Sequence, residues 1–118
     1  MPLSRFKEEL EKLKDLDPGW DSYGAPVPNK FAIDTAANFL DQLRLVKFKP
    51  SRIAPSVDGG VVISFLRDTE RANIEFFNIG AAVMALVTDS SCEVREAGTS
   101  TLALALAVTS IRKFLNGH

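Results

Sequence analysis

The hydrophobic period of this chain changes twice, and those changes constrain the fold more than any single residue. Up to Leu43 the apolar residues recur at steps of three and four. Beyond Pro50 they recur at steps of two, and after Ser100 a helical spacing returns. Helices and strands bury apolar residues at different periods, 3.6 against 2. The order helix, helix, meander, helix therefore predicts an α+β fold. It has two N-terminal helices, an antiparallel meander of four to five strands, and a C-terminal helix packed on the sheet. At 118 residues the chain reads as one domain, 1–118, large enough to bury roughly two-thirds of its unfolded surface.

Leu3, Phe6, Leu10 and Leu13, with Leu16 beyond, make one amphipathic stripe among charged neighbours. Glu8 and Lys12 have the spacing of a favourable helical ion pair. Asp17-Pro18-Gly19 ends that helix. Asn29 can cap a second helix whose buried side is Ile33, Ala36, Ala37, Leu40 and Leu43, with Phe39 beside it. Strands are predicted at 52–57, 61–66, 71–79 and 81–88, with a brief edge strand at 93–95. Asp58-Gly59-Gly60 is the first hairpin turn. Residues 81–88 are apolar throughout, which predicts that both faces of that strand are covered. Residues 101–108 alternate like a strand, but Leu104, Val108, Ile111 and Leu115 fit a helix, capped by Thr99 or Ser100 and ended by Gly117. That helix is apolar beyond one stripe. A homodimer contact through 102–115 and cover by the N-terminal helices are both open readings.

Charge and composition exclude several kinds of chemistry. The net charge is −1, so no global field attracts nucleic acid or an anionic membrane. The single cysteine, Cys92, rules out an internal disulfide and a multi-thiolate zinc site, and points to a cytoplasmic setting. Residues 1–16 mix charged and apolar side chains, unlike a signal peptide, and no apolar run approaches the ~20 residues of a membrane span. The one histidine is His118, so a catalytic triad or a His-built metal cluster is not expected. Phosphate-loop, dinucleotide and nucleophile-elbow motifs do not occur. No cofactor, metal or catalytic residue is expected.

Gly19-Trp20-Asp21-Ser22-Tyr23-Gly24-Ala25 holds the only Trp and the only Tyr, between glycines and ahead of Pro26 and Pro28. This reads as an ordered loop. Trp20 and Tyr23 can fold back over the first two helices as a core plug, or project as interface anchors. Asp21 can accept loop backbone N–H groups. Asp21, Tyr23 and Asp58 form an alternative set for a small-molecule or hydrolytic pocket, although Asp58 has a ready role in the hairpin turn and Asp34 in a first helical turn. Arg44, Lys47, Lys49 and Arg52, with Phe48 among them, can contact phosphates and stack a base, a third alternative disfavoured by the net charge. Cys92 has acidic neighbours and reads as unreactive.

Gly-Trp-Asp-Ser-Tyr-Gly-Ala at 19–25 resembles a scattered family of small, uncharacterised bacterial proteins bearing a Gly-Trp-Asp-x-x-Gly-Ala segment. In that pattern a helix like residues 32–43 follows, then an Asp-Gly-Gly hairpin, here Ile53-Ala54-Pro55-Ser56-Val57-Asp58-Gly59-Gly60, and a strand like Ile74-Glu75-Phe76-Phe77-Asn78. The likeness covers about 16–89. Members often have Asp-Gly at the third turn, where this chain has Ile79-Gly80, and the C-terminal Leu/Ala segment has no counterpart. Some members look like partners of toxin-like or mobile-element proteins, so the resemblance implies a partner protein and transfers no catalytic residue. The expected function is a non-enzymatic protein-binding module, antitoxin-like or immunity-like, with contacts from Trp20, Asp21, Tyr23 and Asp58.

Overall fold

A computed structural model describes residues 4–116. The expectations placed on Leu3, Gly117 and His118 lie outside those residues. Helix α1, Ser4–Lys12, runs into one 3-10 turn, Leu13–Asp15. Phe6 and Leu10 are its buried residues, as the stripe requires. Glu8 and Lys12 are not among its ion pairs. Arg5 meets Glu9 at 3.7 Å, Lys14 meets Glu11 at 2.8 Å, and Lys7 reaches across to Asp41 at 2.5 Å. All are partly or largely exposed, so each is worth a few tenths of a kcal/mol.

Helix α2, Lys30–Leu45, begins where Asn29 accepts the Ala32 N–H at 3.0 Å. Its buried side holds Ala32, Ile33, Ala36, Phe39, Leu40 and Leu43. Phe39 is central rather than flanking. Its ring lies edge-on to Phe65 at 6.3 Å and tilted against Phe76 at 5.6 Å. Those contacts tie α2 to the middle of the sheet.

The sheet has five antiparallel strands in sequence order: β1 Arg52–Ser56, β2 Gly60–Arg67, β3 Glu70–Phe77, β4 Ala82–Val87 and β5 Cys92–Ala97. Strand alternation puts Val61, Ile63, Phe65, Ala72, Ile74, Phe76, Ala82, Met84 and Leu86 on the helix-covered face, where all are buried. Helix α3, Thr101–Leu115, starts where Ser100 accepts the Ala103 N–H at 3.1 Å. It packs Leu104, Ala107, Val108, Ile111 and Leu115 into the same core. Asn38 of α2 donates to Thr101 of α3 at 3.0 Å, so the two helices lie side by side on the sheet.

Two expectations fail here. β4 is covered on one face only. Val83, Ala85 and Val87 are partly exposed on the opposite face, where Val62, Glu75, Val94 and Glu96 are their cross-strand neighbours or lie one strand further. Short β-branched side chains shield one another across a pleated face, so an all-apolar strand need not have a second layer over it. β5 runs six residues rather than three, because its register against β4 continues unbroken from Val87↔Cys92 to Ala82↔Ala97. No helix among the described residues is long and apolar enough to cross a membrane.

Candidate functional site

Residues 16–29 form a loop closed by its own backbone. The Gly19 N–H donates to the Ala25 carbonyl at 2.9 Å, and the Ser22 N–H donates to the Gly19 carbonyl at 2.8 Å. The Asp21 carboxylate accepts the N–H groups of Tyr23 at 2.9 Å and Ala25 at 3.0 Å. This is an Asx-type turn, the arrangement that short acidic side chains favour. The Ala25 amide, followed by the Tyr23 amide, holds the Asp21 carboxyl below its usual 3.8.

That shift has a testable sign. A group whose pKa is depressed by folding adds stability above its unfolded value and loses it as pH falls through the folded one. An NMR titration should find the Asp21 midpoint below 3.8. The loop amides of Tyr23 and Ala25 should exchange faster only in acid below that ordinary value. In Asp21→Asn, which keeps the accepting oxygen, this acid step should vanish. A midpoint at or above the ordinary value would refute the geometry.

Trp20 is only half-buried and stands outside the core cluster. Its indole N–H donates to the Pro26 carbonyl at 3.1 Å. The ring therefore closes the loop on itself and is no core plug. Tyr23 points outward, 92% exposed. The core has no need of either ring, because Phe39, Phe65 and Phe76 already fill it.

The loop is clasped to one end of the sheet by Asn78, a residue not singled out as a site from the sequence. Its side-chain oxygen accepts the Asn29 N–H at 2.8 Å, and its amide donates to the Val27 carbonyl at 2.9 Å. Asn29 answers by donating to the Asn78 carbonyl at 2.9 Å. The Asn78 N–H in turn donates to the Gly59 carbonyl at 2.9 Å. At Gly59, φ is +90°, and a Cβ would come within 2.9 Å of the Asn78 amide and 3.0 Å of the Pro26 ring. The Trp loop, the β1–β2 turn and the β3–β4 turn thus meet at one point. Beside it, the Ser56 hydroxyl bonds the Glu75 carboxylate and accepts the Asp58 N–H at 3.1 Å. Three segments far apart in the sequence are thus joined in one structural unit.

This end displays large apolar side chains. Besides Tyr23, Ile79 is 89% exposed, and Val57 is exposed in the neighbouring turn. Nothing in the sequence marks Ile79 or Val57, since nothing local distinguishes a turn residue that faces solvent from one that folds inward. Asp58 is exposed in the same turn, and no hydrogen bond joins the side chains of Asp21, Tyr23 and Asp58. Asp34 pairs with Lys30 at 2.5 Å on the surface of α2. No group of three or more His, Cys, Asp or Glu able to hold a metal is present among the described residues.

The basic segment is partly committed elsewhere. Arg44, Lys47, Lys49 and Arg52 are exposed, and Arg44 lies 4.0 Å from Asp41. Phe48, the ring expected to stack a base, is stacked on Phe65 at 5.5 Å with the Arg112 guanidinium 6.0 Å from its centre. Its ring is thus taken up by the core and by Arg112. Cys92 is an exposed free thiol at the start of β5.

No family model, curated protein or solved structure matches this chain.

Proposed function

We propose that the chain is a non-enzymatic protein-docking module, antitoxin-like or immunity-like, which binds its partner through the loop-built end of the sheet. The observation that carries this is the clasp itself. Contacts spanning 49 and 51 residues hold Tyr23, Val57 and Ile79 outward on a framework already ordered before any partner arrives. Exposed apolar side chains on a rigid base lose little entropy on binding. Tyrosine is also enriched among residues that dominate interface energies. Asp21 and Trp20 serve here by shaping the loop, and Asp58 borders the contact.

The test uses the chain as bait in extracts of its source cells, compared with Tyr23→Ala/Ile79→Ala. Both side chains lie outside the core, so the variant should unfold at the wild-type denaturant midpoint. A stoichiometric partner held by wild type should be retained at least tenfold more weakly by the variant, in line with the more than ~1 kcal/mol expected at an anchor. Equal retention by both baits would remove the proposed surface, and no stoichiometric partner at all would remove the function.

A further inference from the structure

We propose that two copies of this chain associate through β5, edge to edge and antiparallel, so that the five strands of each join in one continuous sheet. This surface is distinct from the loop-built end, and either can fail without the other.

β5 is the last strand in the sheet order, and its outer edge has no partner among the described residues. Natural edges are commonly blunted by proline, lysine, bulges or cover. The opposite edge is treated that way: β1 contains Pro55 and has α1 against it. β5 has six residues in unbroken register, without proline or lysine. The helix layer also stops short of it. A groove of about 230 Å³ lies between β5 and α3, bordered by Arg95, Ala97, Ala103 and Leu106 among others. Leu106 and Leu102, one turn apart on α3, are 60% and 71% exposed.

The charges on β5 select both the occupant and the register. Glu93 and Arg95 pair with each other and stand opposite Leu86 and Met84, so both are on the helix-side face. A two-fold axis normal to the sheet keeps that face on one side in both copies and makes the contact self-complementary. Opposed residues must then share a face, which leaves few registers. Centring on Glu93 or Arg95 sets like charges against each other. Centring on Val94 sets Glu93 of each copy opposite Arg95 of the other, giving two cross-strand pairs of opposite sign. Inward-facing charges can also guard an edge, because pairing takes them out of water without a partner. Here the alternating signs attract a second copy of the same strand. The dimer would bring the exposed Leu102 and Leu106 flanks of the two α3 helices to the same side of the joined sheet.

The Val94 register also sets Glu96 opposite Cys92 of the second copy on the open face, with Cα atoms roughly 4.5–5.5 Å apart, within disulfide reach. The two native Cys92 thiols would be offset by four residues, or roughly 13 Å along the strand, too far to bond. Wild type should therefore show twice its 12.9 kDa mass by light scattering and stay uncrosslinked under mild oxidation. Glu96→Cys, at an exposed position, should convert to a covalent dimer. Glu93→Arg or Arg95→Glu alone should shift the mass to the monomer, and the two together should restore the dimer. A monomeric wild type at its highest soluble concentration would overturn the proposal. So would a dimer that persists after both single charge changes while Glu96→Cys fails to crosslink.

Discussion

Gly60→Ala is expected to lower the unfolding free energy by about 4 kcal/mol, a large share of the 5–15 kcal/mol typical of a domain. Gly60 opens β2 and is paired on both sides, with Ser56 of β1 and Phe77 of β3. Its φ is +144°, a region that side chains rarely enter. A Cβ there would stand 2.0 Å from the Phe76 carbonyl oxygen and 2.9 Å from the Phe77 Cα. Both obstacles are backbone, held by the β2–β3 ladder, so no rotamer change can relieve the clash. The substitution must displace the start of β2 or part it from β3. Urea unfolding followed by circular dichroism measures the loss. A change below about 1 kcal/mol, the average cost of a point substitution, would contradict this close approach.

The second large effect should come from Asn78→Ala, about 2–3 kcal/mol. Truncation removes the acceptor of the Asn29 N–H and the donor to the Val27 carbonyl. Each lost hydrogen bond is worth roughly 1 kcal/mol net, and more when the partner left behind is shielded from water. The consequence reaches further than the turn. Asn29 also caps α2 through Ala32, so its freedom loosens the start of that helix as well as the loop before it. Amide exchange should quicken at Asn29 and the preceding loop while the centre of the sheet keeps its protection. Asn78→Asp should not rescue, because a carboxylate oxygen would face the Val27 carbonyl where the amide now donates. Exchange unchanged in the loop would show that Asn78 is not the clasp.

The parts of this architecture that were legible in the sequence are those that local chemistry decides. Asn29 and Ser100 each bond an amide three residues on, and Asp58-Gly59-Gly60 reverses the chain through a local bond from the Gly59 N–H to the Ser56 carbonyl. The turn of Asp21 onto its neighbouring amides is equally local. What escaped the reading depends on distant partners. Trp20 looked like core material by size, yet three phenylalanines from α2, β2 and β3 occupy the centre, and its indole found an acceptor six residues away. Phe48 looked available among cations and is stacked on Phe65. The apolar run of β4 suggested two covering layers, because periodicity does not tell cover by a helix from mutual shielding on an open face. Asn78 carried no local mark, since both of its side-chain partners lie about 50 residues back in the chain.

These long-range bonds give the loop-built end its functional interest. Most of the sheet is built from nearest-neighbour hairpins, which need no loop at their ends. The Trp loop is nonetheless hydrogen-bonded to the β3–β4 turn and lies against the β1–β2 turn, and Tyr23 of the loop and Ile79 of the β3–β4 turn are among the most exposed large apolar groups of the described residues. Burying them against a partner would recover apolar surface at little ordering cost.

The most direct measurement is a hydrogen–deuterium exchange footprint of the chain with its captured partner bound. The account predicts new protection concentrated in 20–29, 56–59 and 77–80, with the open face of β4 unchanged. Protection confined to β4, to the basic segment 44–52 or to α1, with those three segments untouched, would contradict it.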